Sequence, residues 1–159
     1  MPAKKKHCYE YPRPSVTVDL VLITTEKRPR VLLIQRKDDP FAGRWAFPGG
    51  FVNENEPLEA AARRELKEET GLEVADLAQF GAFGDPGRDP RGWTVTVAFV
   101  GGVDAKKLKP IAADDAAAVG WHFVDSPPPL AFDHAKILAQ AATQCNHLPN
   151  DRKWRRTEP

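Results

Sequence analysis

Residues 50–72 read GFVNENEPLEAAARRELKEETGL, and this stretch decides the fold. It is entered through Gly49-Gly50, which are expected to turn the chain tightly out of a strand-like Trp45-Ala46-Phe47 by way of Pro48. Pro57 suits the first turn of a helix, where a missing N–H costs little. Asn53 or Asn55 is placed to cap that helix, and Gly71 stands where a C-terminal cap belongs. The expected helix runs from Pro57 to Thr70. At about 100° per residue, Leu58, Ala61, Ala62 and Leu66 form its apolar arc, with Ala60, Arg63 and Lys67 opposite.

Glu65 and Glu69 fall within the apolar arc and Glu68 at its edge. Their i, i+3, i+4 spacing makes them project together. Three carboxylates crowded beside a buried face repel one another and resist desolvation. A solvated glutamate face is the plain alternative, but it would set these residues opposite Leu58 and Leu66, and the wheel does not. A hard divalent cation relieves both penalties, since Mg²⁺ prefers carboxylate oxygen together with water and substrate phosphate.

The spacing is Gly50, five residues, Glu56, seven residues, then Arg64-Glu65-Leu66-Lys67-Glu68-Glu69-Thr70-Gly71-Leu72. At every position this matches the Nudix box, G-x5-E-x7-R-E-U-x-E-E-x-G-U with U apolar. The chain therefore resembles the Nudix hydrolases, metal-dependent enzymes that cleave a nucleoside diphosphate linked to another group. The resemblance implies Glu65 and Glu69 as principal metal ligands, with Glu68 contributing and the Gly49 carbonyl as a backbone ligand. Mg²⁺ is the implied cofactor, with Mn²⁺ as an alternative. Glu56 and Arg64 are implied to pair internally and fix the loop against the helix. The alternative for that pair is a surface ion pair worth little.

Composition limits the rest. A chain of 159 residues suits one domain with a respectable core. Its 23 Lys+Arg against 22 Asp+Glu give no global charge that calls for nucleic acid or membrane. Cys8 and Cys145 are far apart, match no zinc spacing and read as free thiols in a reducing cytosol. No long apolar run or secretory pattern stands out, so the expected location is cytoplasmic. Residues 1–14 are expected to be a flexible N-terminal segment, 15–148 the Nudix domain and 149–159 a basic tail. The basic runs Lys4-Lys5-Lys6 and Arg152-Lys153-Trp154-Arg155-Arg156 read as solvated ends.

Val16 to Thr24 alternates and is rich in β-branched residues, so it reads as a strand. Val31 to Arg36, Trp45 to Phe47, Leu77 to Phe83 and Gly120 to Val124 are further strands. Trp93, Val95, Val97 and Phe99 alternate with Thr94, Thr96 and Ala98 in another. Phe132 to His147 is a closing helix. The expected class is α/β: an α/β/α sandwich around a mixed β-sheet, the Nudix fold.

Three outer segments narrow the branch. Residues 36–47 read RKDDPFAGRWAF, 84–92 read GDPGRDPRG and 130–138 read LAFDHAKIL. Together they resemble the ADP-ribose pyrophosphatase branch, including Nudix domains fused to nicotinamide mononucleotide adenylyltransferases. They also occur in the ADP-ribose-sensing repressors of NAD metabolism. The implied reaction is ADP-ribose to AMP and ribose 5-phosphate. Arg36, Arg88 and Arg91 are candidates to bind the diphosphate or terminal ribose phosphate. The alternative is that Asp85, Arg88, Asp89 and Arg91 pair among themselves. Phe41, Trp45 and Phe83 are each as suited to the core as to stacking on adenine. Asp133 is expected to cap the last helix and His134 to be a structural hydrogen-bond partner.

Cleavage needs a base for water. The candidates are Glu65 and the later acidic pair Asp114 and Asp115, of which Asp115 is carried forward. An ordinary acidic turn is the alternative for that pair. Competing readings are a non-catalytic ADP-ribose sensor, an RNA-binding role through the basic ends, and hydrolysis of NADH, dinucleoside polyphosphates or oxidised nucleoside triphosphates. Known sensors carry a winged-helix segment after the Nudix domain, and only about a dozen residues follow the last helix here. The expected partner is a small nucleotide, with no nucleic acid and no membrane. A homodimer is implied by resemblance alone.

Overall fold

The structure, a computed structural model, describes residues 7–113 and 116–147. Seven strands and two helices follow in the order β1 (Ser15–Thr24), β2 (Arg30–Arg36), β3 (Trp45–Ala46), β4 (Gly49–Phe51), α1 (Leu58–Thr70), β5 (Ala78–Phe83), β6 (Thr94–Val103), β7 (Ala116–Phe123) and α2 (His134–His147). The sheet is mixed. β1 runs parallel to β6 from Ser15↔Thr94 to Thr24↔Val103, the other strand pairs are antiparallel, and Trp45 of β3 makes an isolated parallel bridge to Leu130.

The period-2 alternation of β1 sorts its side chains onto two faces. Val18, Leu20 and Leu22 join Leu32, Val97 and Phe99 in one core with Ala61, Ala62 and Leu66 of α1. Val21 and Ile23 join Val31, Leu33, Ala98 and Val100 in a second core with Ile137, Leu138 and Ala141 of α2. The α/β/α sandwich expected from the sequence is the architecture observed.

α1 keeps its expected extent and its Gly71 cap, which has φ 69° and donates its N–H to the Lys67 carbonyl at 2.9 Å. Neither asparagine caps its start. Pro57 occupies the cap position with no side-chain hydrogen bond. Asn53 instead joins Glu56: its N–H donates to the Glu56 carboxylate at 2.9 Å, and the Glu56 N–H donates to its carbonyl at 3.1 Å. Trp93 lies outside β6 and is exposed, because the strand begins one residue later.

Gly49 and Gly50 form β4 rather than a tight turn, and neither has a positive φ. What they supply is close approach. A Cβ on Gly49 would lie 2.1 Å from the Val18 carbonyl oxygen, and one on Gly50 2.5 Å from a Glu65 carboxylate oxygen. β4 is thereby pressed between β1 and the acidic face of α1.

β1 and β2 pair only at Ile23↔Val31 and then diverge. The chain from Trp45 to Phe51 bridges the gap, β3 pairing with β2 and β4 with β1. The mouth of that split is the cleft described next.

Candidate active site

A cleft of about 520 Å³, measured with its open mouth, lies where the strands separate. β1 contributes Thr17 and Asp19, β2 Arg36, and β4 with its lead-in Phe47, Gly49, Gly50 and Phe51. Glu69 enters from α1, Arg88, Asp89 and Arg91 from the loop before β6, and Phe132 and His134 from the start of α2. Elements far apart in sequence converge because the sheet opens between β1 and β2.

The acidic edge is organised by Arg64. Its Nε and Nη2 donate to the two Glu56 oxygens at 2.7 and 2.9 Å, a forked pair with both partners largely covered. Its Nη1 donates to Glu65 at 2.7 Å and to Glu68 at 3.1 Å. Nη2 also donates to the Phe51 carbonyl at 3.1 Å, tying α1 to β4. The Arg64 bonds, helped by the Asn53 N–H, hold the Glu56 carboxyl down to about 2. Glu65 moves the other way: burial pushes its carboxyl up against the pull of Arg64. Glu69 accepts the Gly49 N–H at 2.8 Å, so β4 and the helix face meet at both glycines.

Among the described residues no three acidic, histidine or cysteine side chains already converge on one point. The donor set nonetheless fits a hard divalent cation. Glu65, Glu68 and Glu69 offer only oxygen ligands on adjacent turns. Glu65 is a partly buried carboxylate with one guanidinium as its counter-charge, and a cation would offset that desolvation.

The three arginines meet at the cleft in different states. Arg88 is almost wholly buried, at 4% side-chain exposure. Its guanidinium donates to both Asp133 oxygens at 3.0 and 2.7 Å and to the Thr94 hydroxyl at 3.3 Å. Asp133 thus holds Arg88 where a helix cap was expected. Arg91 forks onto Asp89 at 2.8–3.2 Å. Arg36 donates to the Pro40 carbonyl at 2.7 Å and has no ion pair among the described residues. Burial, then Arg91, lowers its pKa. Asp115 lies outside the described residues, as does Asp114. The preceding segment is tied to the end of α1: the Ile111 N–H donates to the Thr70 carbonyl at 2.9 Å and the Ala113 N–H to the Glu69 carbonyl at 3.3 Å.

His134 is the structural partner expected. It is 3% exposed, and its Nδ1 accepts the Phe47 N–H at 3.1 Å. That bond leaves the proton on Nε2, which faces Asp19 Oδ1 at 3.4 Å. Asp19 also accepts the Thr96 hydroxyl at 2.6 Å. The sequence reading passed over Asp19, although an acid inside the apolar run of β1 was its signal. It also passed over Phe51 and Phe132, which line the cleft, while Phe83 and Trp45 pack away from it, Phe83 against Phe80 and Trp45 against His122.

A glycine-pressed acidic helix face beside a basic cleft defines the class. The NUDIX domain matches residues 13–141, and the chain belongs to the Nudix family of hydrolases. It is 43% identical over 128 residues to an ADP-ribose pyrophosphatase of Methanocaldococcus jannaschii, covering 80% of this chain and 73% of that protein. It is 35% identical over 143 residues to the ADPR responsive transcriptional repressor NtrR of Acinetobacter baylyi, covering 87% of this chain and 57% of that one. Its fold is similar to the NUDIX domain of Shewanella oneidensis NrtR complexed with ADP ribose. The TM-score is 0.76 and the identity 34%, over 84% of this chain and 90% of that one. Among the described residues no helix is long and apolar enough to cross a membrane.

Proposed function

We propose that this Nudix hydrolase cleaves the diphosphate of ADP-ribose to AMP and ribose 5-phosphate, with Mg²⁺ as cofactor and Mn²⁺ as its substitute. The observation that carries the reading is a juxtaposition. The acidic face of α1 reaches the cleft through Glu69, and the same cleft is lined by Arg36 and by Arg91, which is paired with Asp89. The Methanocaldococcus jannaschii pyrophosphatase and the ADP ribose complex of NrtR support ADP-ribose as the occupant.

Glu65, Glu68, Glu69 and the Gly49 carbonyl would hold the cation. When bound it would neutralise diphosphate charge and acidify a water. The chain's own residues do the rest. Arg36 and Arg91 bind and orient the diphosphate, with Arg88 behind them holding the cleft wall to α2 through Asp133. The Glu56–Arg64 pair fixes the loop that carries β4 into α1. A carboxylate, Glu65 or Asp115, takes the proton from water. The water oxygen bonds to one phosphorus, and that phosphorus releases the bridging oxygen to the other phosphate.

The likeness to the Acinetobacter baylyi repressor favours a second reading, a sensor that binds ADP-ribose without cutting it. The complete set Glu56, Arg64, Glu65, Glu68 and Glu69 favours turnover. The test is chromatography of products from ADP-ribose, NADH, diadenosine polyphosphates and 8-oxo-dGTP, each with Mg²⁺ or EDTA. Mg²⁺-dependent AMP and ribose 5-phosphate, formed fastest from ADP-ribose, is the expected result. Faster cleavage of another substrate removes the ADP-ribose assignment. Binding of ADP-ribose without cleavage moves the sensor reading forward.

A further inference from the structure

We propose that Phe132 is a positioning residue, whose ring holds the guanidinium groups of Arg36 and Arg91 together in the cleft as a seat for the two phosphates of a nucleoside diphosphate. The inference rests on the reading above that a diphosphate occupies this cleft.

The Arg36 and Arg91 guanidinium carbons lie 5.0 and 5.4 Å from the Phe132 ring centroid. Arg91 is also 5.1 Å from the Phe51 ring. Two like charges sharing a partly buried space repel, and Arg36 shows it, since Arg91 helps to lower its pKa. Asp89 pairs directly with Arg91, whereas Arg36 donates to the Pro40 carbonyl and feels Glu69, Asp89 and Asp38 only from a distance. The electron-rich ring face offers both guanidiniums an attraction that does not consume their N–H donors. Arg91 commits Nε and Nη2 to Asp89 and Arg36 commits Nε to the Pro40 carbonyl, so the donors they turn to phosphate oxygens are the remaining Nη groups.

The backbone points the same way. Phe132 has φ 51°, a left-handed conformation that is costly for a bulky residue. Its flanks are fixed: the Ala131 N–H donates to the Trp45 carbonyl at 2.8 Å, Asp133 holds Arg88, and His134 accepts the Phe47 N–H. Phe41 packs edge-on against the ring at 4.9 Å between centroids. The conformation places a part-exposed aromatic ring on the cleft wall when burial in the α2 core would have been the cheaper use of a phenylalanine.

The test is calorimetric binding of α,β-methylene ADP-ribose, which cannot be hydrolysed at the bridging position, and of AMP, both with Mg²⁺. The proteins are the wild type, Phe132→Leu, Phe132→Tyr and Arg36→Lys, with thermal unfolding recorded for each. Phe132→Leu is expected to weaken the diphosphate about tenfold and AMP less than about threefold, with Phe132→Tyr within about twofold of wild type. Arg36→Lys keeps the charge but loses planar stacking, and is expected to weaken the diphosphate about tenfold as well. Wild-type affinity in Phe132→Leu overturns the proposal, as does a Phe132→Tyr loss as large as that of Phe132→Leu. Should Phe132→Leu fail to fold, wild-type affinity in Arg36→Lys overturns it. Turnover of ADP-ribose by the wild type is measured separately. A wild type that binds the analogue but does not cleave ADP-ribose overturns the hydrolysis reading, and the ranking of the variants still decides the role of Phe132. A wild type that does not bind the analogue overturns both.

Discussion

Arg64 touches more of the acidic edge than any other side chain described: Glu56, Glu65, Glu68 and the Phe51 carbonyl. A lysine keeps one charge but not the forked geometry. Arg64→Lys is therefore expected to cut ADP-ribose turnover more than about tenfold, with a smaller effect on unfolding temperature. Parallel kinetics and melting curves check this. Gly50 gives a sharper case, because a methyl group there must displace the Glu65 carboxylate. Gly50→Ala is expected to lower activity about a hundredfold or more while the far-ultraviolet circular dichroism spectrum stays native. The motif made both residues legible in sequence. The reason for the glycine was not, since close approach to a helix in another layer leaves no local trace. Asp19 and Phe132 were hidden for the same reason, their partners lying on β6, α2 and β2.

At the scale of elements, α1 owes its place to a narrow apolar arc. Leu66 is fully buried against β1 and β6, so Leu66→Ala is expected to cost about 2–5 kcal/mol in urea unfolding. A change below 1 kcal/mol would contradict the packing described. β1 and β6 were readable from their alternating stretches, and β2 from its unbroken apolar run Val31-Leu32-Leu33-Ile34. β4 was not, being three residues long with two of the three glycine, which carry no side-chain signal. The start of α1 was misread for a related reason: Asn53 and Asn55 are good cap residues in isolation, but Glu56 recruits Asn53 into the loop that Arg64 holds.

For the whole molecule, the polar cluster under the cleft links β1, β6 and α2 through Asp19, Thr96 and His134. Burial lowers the His134 pKa from its ordinary 6.5, and does the same to His122. In the unfolded chain both histidines take up protons as pH falls through 6.5, before they do so when folded. The unfolded state then binds more protons, so stability falls on acidification below that point. Urea midpoints between about pH 7.5 and 5 are expected to decline for the wild type and to decline less steeply for His134→Gln. Equal slopes would remove His134 as a source. The overall architecture was legible because motif, alternation and helix order agree, whereas the cleft arises from the divergence of β1 and β2, a feature of the assembled sheet that neither strand shows alone.

The account stands most directly on Glu69, which joins the acidic helix face to the cleft and accepts the Gly49 N–H. Glutamine keeps an oxygen for that bond and removes the charge. With ADP-ribose and Mg²⁺, Glu69→Gln is expected to lose more than about a hundredfold in kcat/KM while its unfolding temperature stays near wild type. A folded Glu69→Gln protein that turns over ADP-ribose at near wild-type rates would contradict the assignment of this face as the catalytic metal site.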